Sequence, residues 1–452
     1  MFNPLLLPDL RQMLDEHDAQ ALSEFCNVLH PATTAEVLEG LDGENIWEVL
    51  DHCSLERQVE VFEYLSPARQ IEMVDDVDRE RLSKLVEHMS ADDRVDLLSR
   101  MDPEHVDALL PLIAQVERAE IRKMLSYPEH SAGSIMTTEY AWLPENITVR
   151  EALDRLRQQA PDRETIYYIY ILDEGRRLDG FLSLRDLILA RPSAKLADIM
   201  QRDVIAVRVD DDQEAVAQEM AKYDFLAIPV VDNQNRLVGI ITYDDVLDVV
   251  QEEATEDAYR QGGVEPLEDS YLDAPLYEIA WKRGIWLLFL ACVALMTAEV
   301  LSHYSAVTET YKWLVLFLPL IIASGGNAGS QSATLVIRQM ALGELTRNDN
   351  IRLLRRELAV SAALALCPAV VGSVAAFVLF GLQGRESGVV AITAFLVVVM
   401  GTVTGAMLPL LFKRIGMDPA LMSNPLIAAI VDVLGVLIYY SAALALLGGI
   451  GN

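Results

Sequence analysis

Lysine and arginine are absent from residue 415 to the C-terminus. A carboxylate in that stretch therefore has no basic neighbour in sequence. Cysteine is scarce, with Cys26, Cys53, Cys292 and Cys367 and no CxxC pair. That excludes a disulfide framework and a thiolate metal site, and it fits a reducing cytosol. No P-loop, GxSxG elbow or HExxH motif occurs, so nothing points to an enzyme. The opening MFNPLLLPDLRQMLDEH has too short an apolar run, and no basic flank, for a signal peptide. A net charge of −32 argues against nucleic acid as a partner.

The charge is distributed unevenly. Residues 282–452 hold 11 Lys/Arg and 8 Asp/Glu, whereas residues 1–281 hold 25 and 60. The first part reads as acidic and soluble, with repulsion that cations would screen. The second carries five apolar stretches, about 284–303, 313–337, 357–382, 388–412 and 425–448, each long enough to cross a bilayer. Nine basic residues fall on the side of the acidic part: Lys282, Arg283, Arg338, Arg347, Arg352, Arg355, Arg356, Lys413 and Arg414. Lys312 and Arg385 fall on the other. The positive-inside rule then places the acidic part in the cytosol and the C-terminus outside. Five spans without a targeting segment suit a bacterial inner membrane.

Asp432 lies in the fifth stretch, roughly 10 Å beyond Pro425 along a helix. An ionisable residue at that depth is costly and marks an ion path or proton relay. The alternative is a protonated carboxyl hydrogen-bonded to a neighbouring helix. Asn424, Ala428, Asp432 and Gly435 recur at i, i+4, i+8 and i+11, a polar or small stripe suited to a pore. Ser423-Asn424-Pro425 reads as a helix start. The stripe offers oxygen and amide groups but no His or Cys, which favours a hard cation. Mg2+ in particular keeps its waters and few carboxylates. One Asp per chain is thin for a divalent ion, and a symmetric dimer would supply two. In the second stretch, Ser324 to Thr334 is rich in Gly and small polar residues, with Asn327, Gln331 and Thr334 on one face. This suits either close helix packing or a broken helix lining a cavity. Glu299 in the first stretch lies near the outer end and reads as a snorkelling residue.

Residues 135–190 and 199–249 repeat one pattern: an amphipathic helix, two apolar strands joined by a turn, and a closing helix. Gly180-FLSLR-Asp186 and Gly239-IITYD-Asp245 follow G-x-x-[ST]-x-x-D, and the module resembles tandem cystathionine-β-synthase (CBS) domains, which sense nucleotides. The resemblance implies that Ser183 with Asp186, and Thr242 with Asp245, hold an adenosine ribose. Helix capping accounts for the same residues. Ahead of this module a 12-residue period runs through 54–113, each unit opening with an N-cap residue before a short apolar-periodic helix. Short stacked helices of this kind form a solenoid. Asp92 and Asp96 are i,i+4 on one helix face, where like charges repel unless neutralised. Behind the module, Asp248, Glu252, Glu253, Glu256 and Asp257 crowd a helix expected to end near Gly262-Gly263.

GGNAGSQSATL (325–335), GAMLPLLFKRIGMDPALMSNPL (405–426), the surroundings of Asp432, ETIYYIYILDE (164–174) and VVQEEATED (249–257) together resemble the MgtE family of magnesium channels and transporters over nearly the whole length. The resemblance implies a multidomain chain. An all-α helical-repeat domain spans 1–130, α/β tandem CBS domains 131–250, an acidic connecting or plug helix 251–281, and a five-helix membrane domain 282–452. It implies a homodimer in membrane lipid, with Asp432, Asn424 and Ala428 on the Mg2+ path. Regulatory Mg2+ is implied at Asp92 and Asp96, at Gly133 through its carbonyl, at Asp212, Asp224 and Asp245, at Asp248, Glu253 and Glu256, and at Asp418 at the cytoplasmic mouth. ATP is implied in the CBS pair, at Ser183, Arg185, Asp186 and Thr242. The function implied is Mg2+ uptake under negative feedback by cytosolic Mg2+, modulated by ATP. Alternatives are a transporter of Mn2+ or Co2+, an ion-coupled exchanger, and a membrane-anchored nucleotide sensor without transport.

Overall fold

The computed structural model describes residues 5–75, 77–267, 271–272, 274–341, 345 and 349–448. Arg347, one of the basic residues used to orient the spans, lies outside them. The chain divides into two compact units, Met1–Val250 and Gln251–Asn452.

The first unit opens with ten short helices. They start at Leu7, Ala19, Pro31, Gly43, Leu55, Pro67, Arg79, Ala91, Pro103 and Gln115, twelve residues apart in every case. The period read over 54–113 therefore extends in both directions. From the second helix on, each packs on the helix two further along, so alternate helices stack into layers around an apolar core, while the first rests on the second and fourth. The period is fixed at the helix ends. Asp18, Asp42, Ser54, Asp78 and Ser90 accept backbone N–H bonds as N-caps. A second device joins alternate layers. The carboxylates of Glu39, Glu63 and Glu87 accept from the backbone N–H of Ser66, Ser90 and Ala114 at 2.7, 3.2 and 3.2 Å. Each thus satisfies an orphan donor of a helix 27 residues away and adds negative charge to its N-terminus.

The repeated module follows. In its first copy, β1 (Tyr140–Pro144) runs parallel to β2 (Thr165–Leu172), which pairs antiparallel with β3 (Leu178–Ser183). In the second, β4 (Val207–Arg208), β5 (Ala227–Val231) and β6 (Leu237–Thr242) repeat that order. Arg176 and Asn235 take positive φ, 63° and 59°, in the two hairpin turns. The copies join back to back. Leu178 N–H donates to Asn235 O, and Leu237 N–H to Arg176 O, both at 3.0 Å. The last helix runs without a break from Tyr243 to Gln261, and Gly263 at φ 69° follows it. The segment 251–281 is thus not one helix. Its start belongs to Tyr243–Gln261 and its end to the helix Leu276–His303. Residues 268–270 and 273 lie outside the described set.

Among the described residues, the second unit holds five helices long and apolar enough to cross a membrane: Leu276–His303, Leu314–Ala341, Asn350–Val378, Gly384–Arg414 and Asn424–Leu447. These are the first to fifth membrane helices below. The second, fourth and fifth pack closely, and the third lies against the fourth. The first has no fully buried residue.

Candidate ion path and acidic clusters

The glycine-rich stretch lies within the unbroken second membrane helix, so close packing describes it rather than a broken helix. Gly325 and Gly329 face Gly401 and Gly405 of the fourth helix. A Cβ on Gly401 would land on Gly325 O, and one on Gly405 on Gly329 O. Two small-xxx-small motifs interlock there, bringing backbones closer than any side chain allows. Towards the fifth helix, a Cβ on Gly326 of the second would lie 3.5 Å from Ala428 Cβ and 3.9 Å from Asp432 Oδ1. Asp432 is half-buried beside this smooth surface, with no ion pair or hydrogen bond among the described residues. A carboxyl bonded to a neighbouring helix is not what this chain presents. Gly435 packs instead against Val397.

The amide of Asn424 is held from the second helix. Thr334 Oγ1 donates to Asn424 Oδ1, and Ser330 Oγ to its carbonyl oxygen, each at 3.3 Å. Ser423 caps the fifth helix through Leu426 N–H at 3.3 Å. Asn327, Gln331 and Thr334 are exposed, and Asn424, Ala428 and Asp432 partly so. The polar lining is therefore an open face of the single chain.

Asp418 precedes the fifth helix and accepts from Ala420 N–H at 2.8 Å. Its other oxygen is taken by Arg260, which also pairs with Glu256. Asp257 lies beside them. Loss of water, then Asp418, Glu253 and Glu256, push its carboxyl up to about 6 against the pull of Arg260. Arg260 was missed in sequence because its partner lies 158 residues away. Glu253 is half-buried on the same helix. Ser332 Oγ donates at 2.6 Å to Glu357, a further carboxylate within the membrane helices that composition did not single out.

In the first unit a group of acids meets around Asp92. Removal from water, with Asp92 as the leading charge, pushes Asp245 up to about 8 and Glu164 up to about 7. Glu63 is pushed up to about 8 by removal from water and by Asp93, and Asp93 up to about 6 by removal from water and by Asp92. Asp248 is raised by removal from water and by Asp244. Asp92 Oδ1 is buried without a hydrogen-bond partner among the described residues. An orphaned carboxylate oxygen among acids that resist ionising together fits a site for a hard cation. Among the described residues, no three His, Cys, Asp or Glu side chains converge as a ready ligand set. Asp96 pairs with Arg100 at 3.6 Å and adds a smaller repulsion to Asp93. Glu63, Asp93, Glu164 and Asp244 escaped the sequence pattern because they come from separate elements.

The remaining candidates are scattered. Asp212 caps the helix Gln213–Tyr223 through Glu214 N–H, and Asp224 ends it in the left-handed region at φ 54°. Gly133 lies close to that helix start, its N–H bonded to Val209 O while Ser131 bridges Asp212. Ser183 and Asp186 form a capping box, with Ser183 Oγ to Asp186 Oδ2 at 2.6 Å and Asp186 N–H to Ser183 Oγ at 3.1 Å. Thr242 and Asp245 bond in the same sense. The bonds recorded for Asp186 occupy only Oδ2. Arg185 is exposed beside it.

Comparison with known proteins covers every part of the chain. Residues 318–442 match the family described as divalent cation transporter, residues 29–130 the MgtE intracellular N domain, and residues 132–193 and 196–252 the CBS domain. The magnesium transporter MgtE of Thermus thermophilus is 41% identical over 98% of both chains. That of Bacillus subtilis is 36% identical over 73% of this chain and 72% of its own. Among solved structures, the cytosolic domain of the Mg2+ channel MgtE in complex with ATP aligns at 44% identity and a TM-score of 0.52. It covers 54% of this chain and 100% of that one. The soluble part of a magnesium transporter aligns at 34% identity, also with a TM-score of 0.52, over 55% and 98%.

Proposed function

Because this chain belongs to the MgtE family of divalent cation transporters, we propose that it conducts Mg2+ into the cell under feedback from cytosolic Mg2+. The observation that carries this reading is Asp432, an unpaired carboxylate within a membrane helix, on a face smoothed by Gly326 and Ala428. Such a face lets a hydrated ion approach the carboxylate without stripping all its waters. The lining is open on one chain, which supports a homodimer in membrane lipid whose two copies each contribute Asp432, Asn424 and Ala428 to a shared path. Thr334 and Ser330 fix the Asn424 amide for that task. The protein is a membrane protein with its N-terminal domains in the cytoplasm. An odd number of spans then puts the C-terminus outside, in a bacterial inner membrane.

Regulation resides in the acids. A divalent cation among Asp92, Asp245 and Asp248 supplies the positive charge those carboxylates lack. Gly133 by its carbonyl, with Asp212, Asp224 and Asp96, extends this set. Glu253, Glu256 and Asp418 form a second set on the connecting helix and the pore mouth. With these charges neutralised the carboxylates hold together and the connecting helix is kept in the closed arrangement. Left bare, they repel and release it. The helix Tyr243–Gln261 carries members of both sets, so repulsion at one end is transmitted along a rigid element. ATP binds the CBS pair at Ser183, Arg185, Asp186 and Thr242, where the remaining Asp186 oxygen is available to a ribose hydroxyl.

Mg2+ flux into proteoliposomes tests the whole reading. We expect Asp432→Ala to abolish flux and rising cytosolic-face Mg2+ to close the wild type. Flux indifferent to Asp432 would move the ion path elsewhere.

A further inference from the structure

The second unit has an apolar groove of about 360 Å3 at the cytoplasmic end of its membrane helices. Ile285, Trp286 and Phe289 of the first helix form one wall, and Phe412, Met422 and Leu426 the other. The volume falls in the range of small-molecule sites, roughly 300–1,000 Å3. The groove is open: Ile285 is 47% and Phe289 49% exposed. Its polar edge is set by Glu265, whose Oε1 accepts from Trp286 Nε1 at 3.1 Å. That bond places an indole where amphipathic rings mark a membrane–water interface.

Glu265 is engaged by Trp286 and Asp418 by Arg260, and the charges nearest in sequence to Ile285 and Phe412 are basic. Arg283 lies two residues before Ile285, and Lys413 and Arg414 directly follow Phe412. All three are exposed, and none has an ion pair among the described residues. The neighbouring Lys282 is occupied by Glu278 and by Pro266 O, at 2.8 and 2.7 Å. Three cations without ion pairs, each within two residues of one that lines an apolar trough, call for an amphiphile with an anionic head. A second copy of this chain would bring the same cations against one another, so charge complementarity disfavours it as the occupant.

We propose that this groove binds an anionic phospholipid of the cytoplasmic leaflet, with an acyl chain in the trough and the headgroup phosphate held by Arg283, Lys413 and Arg414. Basic pockets at the cytoplasmic ends of membrane helices suit such headgroups. Met422 and Leu426 flank Asn424, so an occupied groove braces the segment that leads into the ion path.

The test uses the full chain in phosphatidylcholine vesicles doped with a small fraction of lipid brominated on its acyl chains. The brominated lipid is either phosphatidylglycerol or phosphatidylcholine. The signal is the Trp286 fluorescence, wild type minus Trp286→Phe. We expect brominated phosphatidylglycerol to quench it at a roughly tenfold lower fraction than brominated phosphatidylcholine. In the triple variant Arg283→Gln, Lys413→Gln, Arg414→Gln the two lipids should become equal. Equal quenching in the wild type means bulk lipid only and overturns the proposal. Absence of quenching by either lipid means that protein, a second copy included, closes the groove, and overturns it as well. If Trp286→Phe does not reconstitute, the total tryptophan signal of wild type against the triple variant decides by the same signs.

Discussion

The two units use carboxylates in opposite ways. Around Asp92 several acids from separate elements share one neighbourhood and hold one another's protons above the usual range. In the fifth membrane helix Asp432 has no partner among the described residues and lies beside Ala428 and opposite Gly326 of the second helix. A crowd of acids responds steeply to a cation because each member feels the others, which suits sensing. A lone acid holds a cation without trapping it, which suits passage. Backbone geometry differs in parallel: capped short helices fix the acids in the first unit, and interlocked glycines clear the way in the second.

The sharpest way to break this comparison is to fill the glycine interlock. Gly405→Val puts side-chain atoms on the Gly329 carbonyl. We expect a loss of ~3 kcal/mol or more, read as loss of monodisperse protein in detergent. Gly384→Val, with nothing near its Cβ, should leave the protein intact.

The acid crowd is tested by pH. Glu63 and Asp245 are both raised from near 4 to about 8 in the folded chain. The folded state therefore binds more protons than the unfolded one between those values, and without cation its stability falls as pH rises through that window. A cation must displace these protons, so its apparent affinity should rise roughly tenfold or more from pH 6 to pH 8. Hydrogen exchange of the Tyr243–Gln261 helix at increasing Mg2+ reads this directly. Affinity independent of pH would remove the crowd from the sensor.

Arg260 links the connecting helix to Asp418 as a built-in cation. Arg260→Gln removes a partly exposed pair of about 1 kcal/mol. The cytosolic Mg2+ needed for closure should then rise roughly five-fold, measured as flux against Mg2+. The smallest effect is expected at Glu39. Glu39→Gln weakens one carboxylate cap on Ser66 N–H by about 1 kcal/mol and should lower the melting point of the first unit by ~3 °C.

Much of this was legible in the chain. The five spans stood out, although the first helix begins at Leu276 rather than 284, because Tyr277 and Lys282 extend it past the apolar stretch. The 12-residue period was visible where Ser or Asp opens each unit. It was missed at Leu6, His30 and Ala114, which are neither Ser nor Asp, and also at Asp18 and Asp42, which lie among those irregular units. The capping box at Ser183 and the Thr242–Asp245 bond were likewise readable, since both partners lie three residues apart.

Sequence alone determined what depends on neighbours along the chain: apolar length, helix starts, the repeat, and the isolation of Asp432 from any basic residue. Tertiary structure decided what depends on groups far apart. It set Gly325 against Gly401, Thr334 against Asn424, Arg260 against Asp418, and Glu63 and Glu164 within reach of Asp92. The physical reason is range. Capping and hydropathy act over a few residues, whereas close packing and charge act through space, and only the folded chain brings those partners within their reach.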